Sequence, residues 1–185
     1  LDKPLYEYLA KPLNEYPKYT DLSGDKRYRL VTARMVLSHT TGLPNIQFIE
    51  ADGRLKFLFT PGERHSYSGE GFTLLQMVVE EVAGKDLETL AQEKIFRPLG
   101  MTRSSYTWQE SFAGNAAFPH DPYGRQRGIY IKPDKQEAGG SMITTADNYA
   151  RLISLGILNA AGKLKATSDE MLRPQVTINY KSMFG

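Results

Sequence analysis

Apolar residues recur at helical spacing in several stretches of the chain. From Gly69 to Val82, the residues Phe72, Leu75, Val78, Val79 and Val82 follow the i, i+3, i+4 rhythm and predict an amphipathic helix. Ser68 is its predicted N-cap and Gly84 the residue that ends it. Asp86 caps a second helix with Leu87, Leu90, Ala91 and Ile95 on one face, ending near Pro98. Thr144 or Thr145 caps a third, with Asp147 in its positive first turn and Tyr149, Leu152, Ile153 and Ile157 inward. Ser168 opens a last short helix that stops before Pro174. Upstream, Thr32 caps a short helix carrying Met35, Val36 and Leu37, which ends at the turn Thr41-Gly42-Leu43-Pro44. Pro4 marks the start of another helix.

Between Met101 and Ala138 the rhythm fades. Ser105 to Trp108 and Gly128 to Ile131 read as short strands, and the remainder is loop rich in Gly, Pro, Asn and Asp. An irregular stretch of that length is often functional or wraps a neighbouring element. The expected fold class is therefore mainly α with minor β, with too little strand for a complete α/β sheet. No repeat or low-complexity segment divides the chain, so residues 1–185 are expected to form a single helix-rich partial domain.

Composition narrows this little. Hydrophobic residues make up 41% and charged residues 24% of the 185, as in ordinary globular domains. A formal charge of +2 and the lack of a basic face argue against a nucleic-acid partner. The densest basic group, Lys26, Arg27 and Arg29, reads as a solvated loop. The absence of cysteine excludes disulfides and a thiol nucleophile. No apolar run reaches membrane-spanning length and no signal peptide is present; membrane attachment is left open. The opening Leu1-Asp2-Lys3-Pro4 lacks a Met and Tyr180 to Gly185 stops in mid-pattern, which predicts an internal piece of a longer chain.

The sequence holds no Gly-x-Ser-x-Gly, no His-Glu-x-x-His and no phosphate-cradling Gly loop. Its three histidines, His39, His65 and His120, lack ligand-like spacing, so neither metal nor cofactor is expected. A Ser-x-x-Lys spacing occurs at Ser23-Gly24-Asp25-Lys26. It lies in a turn-forming stretch without the helix that would set the amine beside the hydroxyl, and reads as a chance match. The informative string runs from Phe59 to Phe72. There Tyr67 falls just before a helix N-terminus, where the positive end of the helix favours a phenolate and suits the group to shuttle a proton to and from a serine. On spacing alone, a tyrosine capping a core cluster is the favoured reading.

Ser38-His39-Thr40-Thr41-Gly42-Leu43 resembles the Ser-His-Thr-Ser-Gly-Leu segment of the serine β-lactamase and penicillin-binding-protein family, in its class C β-lactamase-like branch of D-Ala-D-Ala carboxypeptidases and esterases. Further segments resemble that family in the same order. They are Thr60-Pro61-Gly62 with Tyr67-Ser68, Ile95-Phe96-Arg97-Pro98-Leu99-Gly100-Met101, Ala138-Gly139-Gly140-Ser141 through Asp147, and the opening Leu1 to Pro4. The resemblance implies the helical region of the β-lactamase/transpeptidase-like α/β fold without most of its central sheet. It also implies an acyl-enzyme hydrolase. There a serine in Ser-x-x-Lys attacks an amide or ester carbonyl, and the lysine and the motif tyrosine relay protons. A Lys-Thr-Gly or His-x-Gly strand helps bind the substrate carboxylate.

Only the tyrosine of that machinery carries over, onto Tyr67. The nucleophile and the Lys-Thr-Gly or His-x-Gly strand have no match in the chain. The family's Asn two residues after the tyrosine is Gly69 here, which puts β-lactam hydrolysis in doubt; Glu70 either substitutes in substrate binding or simply favours the helix N-terminus. His39, Gly42, Gly139 and Gly140 read as structural, with His39 bonding local backbone and the glycines permitting positive φ. The resemblance further implies a small-molecule or peptidoglycan-peptide substrate and a bacterial periplasmic or secreted location. On its own the chain is expected to be inactive and to expose an apolar face through which it can dimerise. The competing reading is a non-catalytic penicillin-binding-like module that binds cell-wall peptide or a protein partner.

Overall fold

The computed structural model describes residues 1–128 and 132–178, with nothing said of the Lys163 side chain. Its contacts gather into two compact units, Leu1–Lys85 joined by the residues from Arg173 onward, and Asp86–Leu172.

The first unit opens with a series of 3-10 turns, Leu5–Tyr8, Leu13–Glu15, Pro17–Leu22 and Lys26–Leu30. Pro4 and Pro12 precede two of them and Pro17 starts a third. Proline fixes φ for a turn but, recurring this often, forbids a long helix. The helix expected after Pro4 is thus a single tight turn. Leu5 donates its N–H to the Val31 carbonyl at 2.8 Å, and Pro4 bridges to Thr32. Helix α1 (Ala33–Leu37) follows, capped by Thr32 accepting from the Met35 N–H. Helix α2 (Gly69–Ala83) starts at Ser68 and ends on Gly84 at φ 63°, as its sequence signals predict.

The buried face of α2 differs from expectation. Leu74 and Val78 enter a core with Leu5, Leu13, Tyr19, Leu22, Val36 and Leu43, whereas Val79 and Val82 are 42% and 62% exposed. Apolar residues surround much of this helix, so periodicity leaves its rotation open and tertiary packing selects the stripe.

In the second unit Asp86 caps α3 (Leu87–Ala91), accepting the Thr89 N–H, and the helix widens into a π turn over Gln92–Phe96. Ala91, Phe96 and Met101 form its core, with Ile95, Leu99 and Tyr106 packed against them. Thr145, not Thr144, caps α4 (Ala146–Arg151), which continues as a π turn over Leu152–Leu158. Tyr149 and Ile153, expected inward, are exposed, and Asn148 is the buried residue of α4. Helix α5 (Lys163–Leu172) begins before Ser168. Ser168 is buried mid-helix and donates its hydroxyl to the Ile157 carbonyl rather than capping.

Strand content is low, as expected. Among the described residues, isolated bridges pair Pro4 with Thr32, Ser105 with Ile143 and His120 with Gln126. Ser105 and Ile143 exchange N–H···O bonds of 3.0 and 2.8 Å, the trace of the strand predicted from Ser105. Glu88 fastens that segment, accepting from the Ser105 hydroxyl and the Tyr106 N–H. Of the strand expected over Gly128 to Ile131, all but Gly128 lies outside the described residues.

Candidate active site

The segment Ser38–Pro44 and the segment Leu58–Gly71 clasp each other. Backbone N–H groups of Leu58, Gly62 and Ser66 donate to the carbonyls of Gly42, Thr40 and His39 at 2.8, 2.7 and 2.8 Å. Gly42 makes this approach feasible: its φ is 79°, and a Cβ there would stand 2.4 Å from the Phe59 carbonyl oxygen. Thr41 and Leu43 beside it are fully buried. The expected structural role of Gly42 is therefore met. Gly140 is different: its φ is not positive and nothing lies within 4 Å of its Cβ position.

Ser68 joins the clasp to α2. Its hydroxyl accepts the Gly71 N–H at 2.9 Å, capping the helix, and donates to the Pro44 carbonyl at 3.1 Å. Its N–H donates to His39 Nδ1 at 3.1 Å. His39 thus bonds backbone, as read from sequence, but the backbone is 29 residues away rather than local. It occupies the left-handed region at φ 54°, uncommon outside glycine. Accepting at Nδ1 requires the deprotonated nitrogen there, so the neutral ring carries its proton on Nε2. Burial, and secondarily the neighbouring His65, hold its pKa below the usual imidazole value. The His39 and His65 rings meet edge-on at 5.9 Å, a proximity invisible in their spacing. Among the described residues no group of His, Asp and Glu is arranged to hold a metal ion.

Tyr67 sits directly on this platform. Its ring lies 4.4 Å from the His39 ring at an interplanar angle of 31°, and 56% of the residue is exposed. The exposure separates it from a tyrosine capping a core cluster: the ring is held from one side while the residue stays open to solvent immediately before α2.

Gly69 and Glu70, the two residues considered for substrate binding, take different places. Gly69 donates its N–H to Asn45 Oδ1 at 3.2 Å. A Cβ on Gly69 would stand 2.6 Å from the Asn45 carbonyl oxygen, so an asparagine does not fit at this position without moving backbone. Glu70 is buried, with 6% exposed. Its Oε1 accepts the Gln47 N–H at 2.9 Å, and Oε2 faces the Lys18 ammonium at 2.9 Å. In this structure the carboxylate is turned inward and ties the 45–50 loop to α2. Nearby Tyr19 is fully buried with no hydrogen-bond partner for its hydroxyl; burial and the Glu70 charge keep that phenol neutral.

Ser23 and Lys26 do not form a catalytic pair. Ser23 ends one 3-10 turn, Gly24 is left-handed at φ 86°, and Lys26 begins the next turn behind the Asp25 cap. Asn45 and Lys18 were not singled out from sequence. Asn45 follows Pro44 directly in the recognisable segment, but no spacing rule connects it with Gly69 or Lys18 with Glu70.

A family model described as Beta-lactamase matches residues 1–182. The N-acetylmuramyl-L-alanine amidase of Bacillus subtilis is 26% identical over 184 residues, covering 88% of this chain and 42% of its own length. The D-alanyl-D-alanine-carboxypeptidase/endopeptidase AmpH of Escherichia coli is 31% identical over 124 residues, covering 58% of this chain and 30% of its own. Among solved structures, the octameric penicillin-binding protein homologue from Pyrococcus abyssi superposes with a TM-score of 0.66 at 20% identity, covering 97% of this chain and 44% of that one. The D-alanine carboxypeptidase AmpC from Burkholderia cenocepacia gives 0.65 at 21% identity, covering 91% and 46%. The chain thus spans less than half the length of each of these proteins.

Proposed function

With the premise that this chain belongs to the Beta-lactamase family, we propose that it is the helix-rich part of a larger serine hydrolase and that Tyr67 is the proton relay of its acyl transfer. The observation that carries this reading is Tyr67, exposed just before α2 with its ring packed at a tilt on that of His39. A relay must reach solvent-borne substrate yet keep one orientation, and a ring packed on a hydrogen-bonded imidazole meets both needs.

In the proposed mechanism, a serine supplied by the rest of the longer protein attacks an amide or ester carbonyl carbon. Its hydroxyl proton passes to the Tyr67 oxygen, and from there to the leaving nitrogen or oxygen as the C–N or C–O bond breaks. Water then attacks the acyl-enzyme, losing its proton by the same path, and the serine is released. Relatives named as a D-Ala-D-Ala carboxypeptidase/endopeptidase and a muramyl-alanine amidase support a peptidoglycan-peptide substrate and a periplasmic or secreted setting. No helix among the described residues is long and apolar enough to cross a membrane. The partial-domain reading rests on the span of the relatives, and it implies that the present chain alone turns nothing over.

The test is Tyr67→Phe in the longer protein, assayed with nitrocefin, a D-Ala-D-Ala peptide and a p-nitrophenyl ester. Loss of a general acid–base group is expected to cut turnover roughly a hundredfold or more. An unchanged rate removes Tyr67 from the mechanism. Gly69 favours a second reading, a module that binds cell-wall peptide without cleaving it; peptide binding with no turnover of any probe is its signature.

A further inference from the structure

We infer that Asn45 is a substrate-binding residue of the Tyr67 site, supplying from the Pro44 turn the carboxamide that residue 69 lacks. This rests on the proposed function above.

The space where a side chain on residue 69 would start is taken by Asn45: its carbonyl oxygen is 2.6 Å and its Oδ1 3.1 Å from the Cβ position. Gly69 and Asn45 are therefore one arrangement, since the asparagine approaches this closely only because residue 69 has no side chain. The amide's orientation follows from its contact. The Gly69 N–H points at the Asn45 carboxamide at 3.2 Å, and only the oxygen can accept it. The NH2 group must then face away from Gly69, and no protein acceptor takes it among the described residues. Asn45 is exposed, so those two donors reach solvent beside the turn that carries Tyr67.

The backbone around it is held in place. Pro44 is fully buried and its carbonyl accepts from Ser68, while Gln47 is tied to Glu70. A carboxamide fixed at both flanks and anchored at its oxygen is pre-organised to donate to a carbonyl oxygen, the acceptor that an amide or acyl substrate presents. It would bind substrate and take no part in proton transfer.

Asn45→Asp and Asn45→Ala in the longer protein test this, using the same three probes and thermal unfolding. Aspartate keeps the acceptor for Gly69 and loses the donors; alanine loses both without adding charge. Both are expected to raise KM about tenfold, the value of one lost neutral hydrogen bond, with the aspartate variant melting as the unsubstituted protein does. Wild-type kinetics in Asn45→Asp would make Asn45 a purely structural cap and overturn the inference. So would wild-type kinetics in Asn45→Ala, which would reduce the aspartate effect to its charge. If Tyr67→Phe loses turnover while either Asn45 variant keeps the unsubstituted KM, only this inference fails. If Tyr67→Phe is unaffected, or the longer protein turns over none of the probes, the proposed function fails and takes this inference with it.

Discussion

The His39 imidazole lies against the Tyr67 ring at 4.4 Å while its Nδ1 receives the Ser68 N–H at 3.1 Å. One side chain therefore fixes both the residue before α2 and that helix's N-cap. The arrangement depends on a lone pair at Nδ1, and a protonated ring would turn a donor toward the Ser68 donor.

Stability should accordingly depend on pH through His39. Its folded pKa is held below 6.5, mainly by burial and then by His65, so on acidification the unfolded chain binds the proton first. The His39 contribution is complete above pH 6.5 and is lost as pH falls from there through the depressed folded value. Replacing His39 by Leu should cost about 1–3 kcal/mol at pH 8, because the Ser68 N–H loses its acceptor. Denaturant unfolding at several pH values should show the gap between the two proteins closing as pH is lowered below 6.5.

Gly69→Ala should be destabilising by about 1–3 kcal/mol, the usual cost of forcing a methyl into filled space. The obstruction is the Asn45 carbonyl, which is backbone and cannot swing aside. Gly114→Ala is the control, because nothing lies within 4 Å of its Cβ position. Equal unfolding midpoints for the two variants would contradict the packing described at Gly69.

Glu70 should behave as a structural pin. Glu70→Ala leaves the Gln47 N–H without its acceptor and is expected to cost about 1–3 kcal/mol. Glu70→Gln can still accept that N–H and should cost less, since Lys18 is 43% exposed and its ion pair is worth little. The opposite pattern in the longer protein, a raised KM with stability intact for both, would return Glu70 to substrate binding.

Self-association should accompany the exposed apolar residues. Leu37, Val79 and Val82 in the first unit, and Leu155 and Leu158 in the second, lie 42–63% exposed. Sedimentation velocity over a hundredfold concentration range, roughly micromolar upward, is expected to show a dimer forming. A monomer throughout would count against dimerisation through these faces.

Much of the local structure was legible from residues alone. Thr32, Ser68, Asp86 and Thr145 each cap the helix they announce, because a capping bond spans only a few residues and needs no partner from elsewhere. Tyr67 was legible for the same reason: its place before α2 follows from the Ser68 cap and the apolar run behind it. The contacts of Glu70 were not legible, because its position in a first turn says nothing about Gln47 or Lys18, which reach it from other turns.

The sequence by itself determined where α1, α2 and α3 begin, the loop-rich middle, and the tyrosine at the head of α2. Those features depend on contacts within a few residues, whose energies are set by residue type. Tertiary structure alone decided which stripe of α2 is buried, that His39 supports Tyr67, and that Asn45 fills the space over Gly69. The hydrogen bonds from the Ser68 N–H to His39 and from the Gly69 N–H to Asn45 cross 29 and 24 positions. Their formation is governed by close packing between segments, which no local pattern encodes.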